Sequence, residues 1–225
     1  MKITIITPSY NQADYLEETI DSVLSQGYPN LEYMVFDGGS TDHSAEVIKK
    51  YESHLSYWES KPDKGQSDAI NKGLQRATGD IINWLNSDDY YEAGTLHKVA
   101  AAFEQPETLM VAGRSRLFND ADQSTLSYSR GTDIYPGQLA RTIGQARIDQ
   151  PETFFRKEAI DQMGLLNARL HYIMDKEWSV RFLLHFGQEH CVQIPDMLVH
   201  FRYHESSKTV SQQAKFSEET HNLFH

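Results

Sequence analysis

Two adjacent carboxylates, Asp88 and Asp89, follow Trp84-Leu85-Asn86-Ser87 at the end of an extended apolar run, with no basic residue in the turn to neutralise them. Hard divalent cations such as Mg2+ or Mn2+ suit such a turn, because they take one or two carboxylates and fill their other positions with water and phosphate oxygens. The chemistry indicated is a nucleotide diphosphate held through a metal. Asp37 closes a second apolar run, Leu31 to Phe36, and precedes Gly38 and Gly39. A carboxylate there can accept the imino N–H of a pyrimidine while the glycines let the backbone approach the ligand. An Asp-Gly turn with Asp42 as a helix cap accounts for the same residues without a ligand.

Strands that end at these carboxylates must place them together. Ile3 to Thr7 is a β-branched run stopped by Pro8, and Asp14 with Glu17 three residues on forms a capping-box pattern for a helix bearing Leu16, Ile20, Val23 and Leu24 on one face. Gly27 and Pro29 end it, and Leu31 to Phe36 completes a βαβ unit. The alternation predicts a helix from Asp42 or Ser44 to about Tyr51, a strand at Leu55 to Trp58, a helix at Ser67 to Ala77, a strand at Asp80 to Leu85, a helix at Gly94 to Phe103 and a strand at Thr108 to Ala112. Such alternation means a mostly parallel, doubly wound α/β sheet with its ligand site at the carboxyl ends of the strands. Beyond about Gly113 the pattern is less regular. Extended pieces are expected at Arg114 to Phe118, Leu126 to Arg130, Pro151 to Arg156 and Cys191 to Phe201, and helices at Lys157 to Met163 and Lys176 to Phe186. The expected organisation is one domain over 1–225, with a nucleotide-binding half at 1–113, an acceptor and catalytic half at 114–205, and a polar tail at 206–225.

Composition narrows the function. With 21 Lys and Arg against 32 Asp and Glu the formal charge is −11, which disfavours nucleic acid as a partner. The lone cysteine, Cys191, rules out an internal disulfide framework and fits a reducing, cytoplasmic setting. No apolar segment is long enough for a signal peptide or a spanning helix, so service to a membrane pathway would mean peripheral docking, at the inner face. The first strand is not followed by GxGxxG, and GxxxxGK[ST], HExxH and GxSxG are absent, which removes the common dinucleotide, P-loop, zinc-protease and hydrolase readings. What remains is a loop, Thr7-Pro8-Ser9-Tyr10-Asn11, that offers backbone groups and an aromatic face. A second segment, Pro62 to Gly73, concentrates side chains suited to ribose and phosphate, among them Lys64 and Asp68.

In their order and strand context, TPSYNQADYLEETIDSVLSQ, DGGSTD, KPDKGQSDAINKG and TGDIINWLNSDD resemble family 2 of the glycosyltransferases, and the likeness continues more loosely through QPETFFRKE and YIMDKEWSVRF to FRYHESSKT. The resemblance implies a GT-A fold and an inverting transfer of a sugar from a nucleotide-diphospho-sugar, a UDP-sugar foremost, to the hydroxyl of a saccharide or lipid-linked saccharide, in surface polysaccharide or glycolipid biosynthesis. It places Pro8, Tyr10, Asn11 and Asp37 around the nucleoside. In the family's Asp-x-Asp metal motif the first position is here Asn86 and the last Asp88, so Asp88 is the implied ligand of Mn2+ or Mg2+, and Asn86 meets ribose or a metal-bound water. Asp89 orients Asp88 or meets the acceptor, and a plain turn carboxylate accounts for it equally well. Asp175 aligns with the catalytic base, with Glu177 as its rival, although Asp175 also suits a helix cap. His204 is implied as a further metal ligand, Arg202 and Lys208 as phosphate contacts, and Gln150 as a neighbour of sugar or acceptor. Two other readings compete: a nucleotidyltransferase, which would want a Gly-rich, basic first loop, and a non-catalytic nucleotide-sugar-binding subunit, which Asn86 in the metal motif makes conceivable.

Overall fold

The computed structural model describes residues 1–129, 134–145, 149–205, 207 and 213–224. Four parallel strands form the first half of one sheet: β1 (Ile3–Ser9), β2 (Leu31–Asp37), β3 (Tyr57–Ser60) and β4 (Ile81–Trp84), in the order β3-β2-β1-β4. β5 (Tyr90–Tyr91), β6 (Met110–Asn119), β7 (Thr125–Tyr128), β8 (Thr153–Arg156) and β9 (Cys191–Tyr203) extend it. β8 joins β4 and β6 antiparallel, whereas β6 and β9 run parallel.

Each central strand is apolar on both faces, as a sheet covered by helices on both sides requires. Ile3, Ile5, Tyr33 and Val35 pack with Leu16, Ile20 and Val23 of α1 (Ala13–Leu24), with Val47 and Ile48 of α2 (Ser44–Lys50), and with Leu96 and Val99 of α4 (Thr95–Ala102). Ile6, Met34, Phe36, Ile82 and Trp84 meet Ile70 and Leu74 of α3 (Gln66–Arg76), Ile160 of α6 (Lys157–Met163), and Trp178 and Phe182 of α7 (Met174–Phe186). The register sets Ser9 beside Asp37 and Trp84 beside Ile6, so the first loop, the Asp37 loop and the acidic turn emerge from one edge.

Several expectations shift. α1 starts at Ala13, and its first amide is received at 3.0 Å by Asp42 of the neighbouring loop, so the cap is Asp42 and not Asp14. The two extended pieces flanking Gly113 are one strand, β6, because Gly113 is where β9 comes close: a Cβ there would lie 2.4 Å from the Leu198 side chain. Gln150–Glu152 is a turn of 3-10 helix, and the strand begins only at Thr153. α5 (Leu139–Gln145) and the two-residue β5 were not anticipated. The expected polar tail carries a helix, α8 (Gln213–Phe224), which reaches back to the site. Among the described residues no helix is long and apolar enough to cross a membrane.

Where β2 starts, Glu32 accepts hydrogen bonds from Lys2 Nζ (2.7 Å), Thr4 Oγ1 (2.6 Å), the Thr78 amide (2.8 Å) and Thr78 Oγ1 (2.6 Å), tying β1, β2 and the turn before β4. Burial acts to raise its pKa, but these donors outweigh it and hold the carboxyl down at about 2. Stability from a depressed carboxyl is present above the unfolded-state value and is lost as pH falls through the folded one. Glu32→Gln should therefore cost on the order of 2 kcal/mol at pH 7 in urea unfolding. The difference from wild type should shrink between the model-peptide value of 4.5 and about 2.

Candidate functional site

A cavity of about 700 Å³ opens at the carboxyl edge of the parallel strands, and Pro8, Tyr10, Asn86, Asp88, Gln150 and Asp175 all line it. Residues far apart in the chain thus meet as the sequence implies. Tyr10 is 60% exposed and offers a free ring face at one end. Gln150 is buried in the floor, where its Nε2 donates to Asn83 Oδ1 at 2.8 Å and to the Trp84 carbonyl at 2.6 Å, bracing the last residue of β4.

At the acidic turn the two carboxylates point different ways. Asp89, 1% exposed, accepts the Arg202 amide at 3.0 Å and Asn86 Nδ2 at 3.4 Å, and burial with Asp88 beside it pushes its pKa well up. It does not line the cavity, and its hydrogen bonds are those of a turn carboxylate, made to Arg202 and Asn86. Asp88 faces the cavity, and its Oδ2 lies 3.0 Å from Nε2 of His204, which is buried and is not itself in the lining, so only Asp88 of the two is presented to the cavity. Adjacent ligands of an octahedral Mg2+ or Mn2+ at about 2.1 Å from the metal stand about 3.0 Å apart, so this pair fits two neighbouring positions of such an ion. Among the described residues no group of three His, Cys, Asp or Glu converges, and the remaining positions would fall to diphosphate oxygens and water. Asn86 Oδ1 already accepts Gln66 Nε2 at 2.8 Å, which joins the turn to the start of α3.

Arg202 departs from its expected role. Its guanidinium lies behind the acidic turn, where Nε donates to the Asp88 carbonyl at 2.9 Å and the two terminal nitrogens pair with Glu18 and Asp120. These partners leave it buried and outside the cavity lining, so it braces the turn and makes no phosphate contact from this position. Lys208 falls outside the described residues.

Asp37 is likewise turned into its own loop. Its oxygens receive the amides of Gly39 (3.2 Å) and Ser40 (2.9 Å) and the hydroxyls of Ser40 and Ser60. The turn alternative describes it, and the base contact expected of it is corrected, since a buried carboxylate with four donors has little capacity left. Gly39 holds the loop at φ +79°, where a Cβ would strike the Pro62 nitrogen at 2.8 Å. Asn11 staples the two loops, donating its amide to Ser40 Oγ at 2.8 Å and receiving the Thr41 amide at 2.8 Å, but it does not line the cavity. The carboxylate facing the cavity here is Asp63. Burial raises its pKa, and Oδ1 accepts the Gly65 amide at 2.7 Å. Its place in a run of turn residues, Pro62 to Gly65, hid it in the sequence.

The Pro62 to Gly73 segment works mainly as a brace. Lys64 is exposed and gives its amide to Asp68 at 3.3 Å, and Asp68 pairs with Lys72 at 3.5 Å; neither Lys64 nor Asp68 lines the cavity. Ser67 donates to the Leu170 carbonyl at 3.1 Å, and Asn71 exchanges hydrogen bonds with the Leu166 backbone at 3.0 and 2.9 Å. α3 thereby fixes the loop that leads into α7.

Asp175 lies in the first turn of α7, lining the cavity, with Oδ1 receiving the Lys176 amide at 2.8 Å. Burial raises its pKa from the ordinary Asp value, against the lowering pull of the local amides, and the negative Asp149 adds to the rise. Its rival Glu177 forms an ion pair with Arg181 one turn along and is not in the lining. His171, Tyr172 and Phe216 close this end of the cavity, a wall that the irregular sequence of the region did not announce.

The chain resembles known proteins in both sequence and structure. Over 101 residues it is 39% identical to a putative teichuronic acid biosynthesis glycosyltransferase, TuaG, of Bacillus subtilis, covering 43% of this chain and 39% of that relative. Over 187 residues it is 28% identical to an uncharacterized glycosyltransferase of Mycobacterium tuberculosis, covering 81% and 69%. S. aureus TarS in complex with UDP-GlcNAc superposes with a TM-score of 0.69 at 18% identity, over 99% of this chain and 65% of that one. The mannosyltransferase PcManGT of Pyrobaculum calidifontis, in complex with GDP-Man and Mn2+, gives a TM-score of 0.64 at 19% identity over 88% and 56%. This chain thus spans well under the full length of several of the proteins it matches. The glycosyl transferase family 2 model matches residues 4–164, and with the GT-A arrangement described above it establishes that the chain belongs to that family.

Proposed function

We propose that this protein is an inverting, metal-assisted glycosyltransferase that uses a UDP-sugar and a saccharide or lipid-linked saccharide acceptor in surface polysaccharide synthesis. The observation that carries the reading is one cavity lined by Tyr10 of the first loop, Asp88 of the acidic turn and Asp175 at the start of α7. Tyr10 and Pro8 stack and seat the base, and Asp63 accepts its imino hydrogen. Asp88 and His204 would hold Mg2+ or Mn2+, whose chemistry is neutralisation of the diphosphate charge. Asp175 removes the acceptor hydroxyl's proton as that oxygen bonds to C1, while the C1–O bond to the diphosphate breaks and its electron pair leaves with the phosphate. A raised pKa suits this task, because a stronger base takes the proton more readily near neutral pH. Relatives support the donor and pathway class: TarS is known with UDP and UDP-GlcNAc, and TuaG is named for teichuronic acid synthesis. A lipid-linked acceptor would bring the protein to a membrane surface by peripheral association.

Three variants and a pH profile test the assignments. Asp175→Asn should abolish UDP release from the preferred UDP-sugar, with a loss of about 10²-fold or more, while UDP binding by calorimetry stays within a few-fold. Because the base must be deprotonated, wild-type activity should fall as pH drops through a value above the ordinary Asp range of about 4; full activity of Asp175→Asn would remove it from the role. Asp88→Ala should weaken Mn2+-dependent UDP binding by tenfold or more, and an unaltered Mn2+ titration would count against the ligand assignment. Asp63→Asn, whose amide can donate as well as accept, should narrow the preference for UDP over CDP; an unchanged ratio would mean another group reads the base.

A further inference from the structure

Three consecutive backbone amides just ahead of α7 converge on one carboxylate from the far end of the chain. Glu219 of α8 accepts the His171 amide at 2.8 Å through one oxygen, and the Tyr172 and Ile173 amides at 2.7 and 3.0 Å through the other. Successive amides pointing into a concavity form an anion-binding nest, and a charged acceptor makes each such bond stronger than a neutral one would. Phe216, one turn earlier on α8, packs on Tyr172 with ring centroids 5.3 Å apart, and Lys215 stands 5.7 Å from the same ring. The residues so held immediately precede Met174 and Asp175, and His171, Tyr172, Phe216 and Asp175 line the same cavity.

We propose that Glu219 is a positioning residue for the transfer reaction: by filling the 171–173 nest it fixes the start of α7 and keeps Asp175 aimed into the cavity and shielded from water. The inference rests on Asp175 being the base. α3 secures the loop up to Leu170 through Ser67 and Asn71, and Glu219 takes over from the next residue onward. Without it, the segment between Leu170 and the first helical turn loses three main-chain anchors, and the base at its end gains both motion and solvent. A displacement of about 1 Å at a reacting group can cost on the order of 10²-fold in rate. Donor binding, made at the other end of the cavity, is left in place.

The test compares wild type, Glu219→Ala, Glu219→Gln and Asp175→Asn in Mn2+ with whichever of UDP-GlcNAc, UDP-glucose and UDP-galactose gives the fastest UDP release. It reads kcat, donor KM and the acid limb of the pH profile, with amide hydrogen exchange at residues 171–173. Glu219→Ala should lower kcat roughly ten- to a hundredfold with donor KM within about threefold. It should also move the acid limb down toward that of a solvated carboxylate and speed exchange at the three amides. Glu219→Gln, which keeps the shape and one strong acceptor, should recover part of kcat, and it carries the comparison if the alanine variant folds poorly. Unchanged kcat and acid limb in both variants, or a loss that falls equally on donor KM, would overturn the proposal. Full activity in Asp175→Asn would instead remove the base itself, so the two failures are distinguishable.

Discussion

A single buried guanidinium holds the acidic turn in shape. Arg202 is 5% exposed, and it gives its amide to Asp89, its Nε to the Asp88 carbonyl and its terminal nitrogens to Glu18 and Asp120, inside a ring of Tyr15, Tyr90 and Phe118. Burying a cation is costly, and only dense pairing offsets it; removing one partner of such a group typically costs about 3–5 kcal/mol. Burial alone would lower the Arg202 pKa, yet Asp120 and Glu18 outweigh it and raise the value, so the charge stays. One side chain therefore ties α1, the end of β6 and the end of β9 to the turn that ends β4. With Asp89 committed to that scaffold, Asp88 is the carboxylate left to face the cavity.

The same division recurs around the site. Asp37, Asp42 and Asp68 spend their oxygens on nearby backbone amides, where a carboxylate orders a loop, whereas Asp63, Asp88 and Asp175 line the cavity, Asp63 and Asp175 each while also receiving one local amide. Loop-ordering acids are not idle. By linking the Tyr10 loop to the Asp37 loop through Asp42 and holding the Lys64 turn on α3 through Asp68, they fix the cavity walls in advance, so that less ordering entropy is lost when a ligand binds.

The parallel half of the fold was legible because its signal is local. Strands apolar on both faces and helices with one apolar stripe announce themselves in short windows, and the strand-end positions of Asp37 and Asp88 set them near one edge, whereas Asp175 was reached only through the family resemblance. Which carboxylate faces the ligand was not legible. Asp37 and Asp63 both sit in Gly-containing turns, and only the tertiary arrangement shows that serine hydroxyls and amides surround the first. Arg202 misled for a related reason: a cation near a metal motif suggests phosphate, and its acidic partners Glu18 and Asp120 lie 184 and 82 residues away. The second half was harder still. Gly113 reads as a break until β9 is seen lying against it, and α8 was hard to place because contacts made by a carboxylate and a single aromatic ring, Glu219 and Phe216, leave no apolar stripe in the sequence.

The way α8 is attached has a consequence for how this site can change. Among the described residues Glu219 meets main-chain hydrogens, which every residue but proline supplies, so this hydrogen-bonded part of the attachment is indifferent to the side chains at 171–173, while the Phe216 contact depends on Tyr172. Two of those side chains, His171 and Tyr172, face the cavity. Substitution there can reshape the wall for a different sugar or acceptor while the start of α7 keeps its anchor, which makes this short segment a place where selectivity can drift without loss of the framework beneath it.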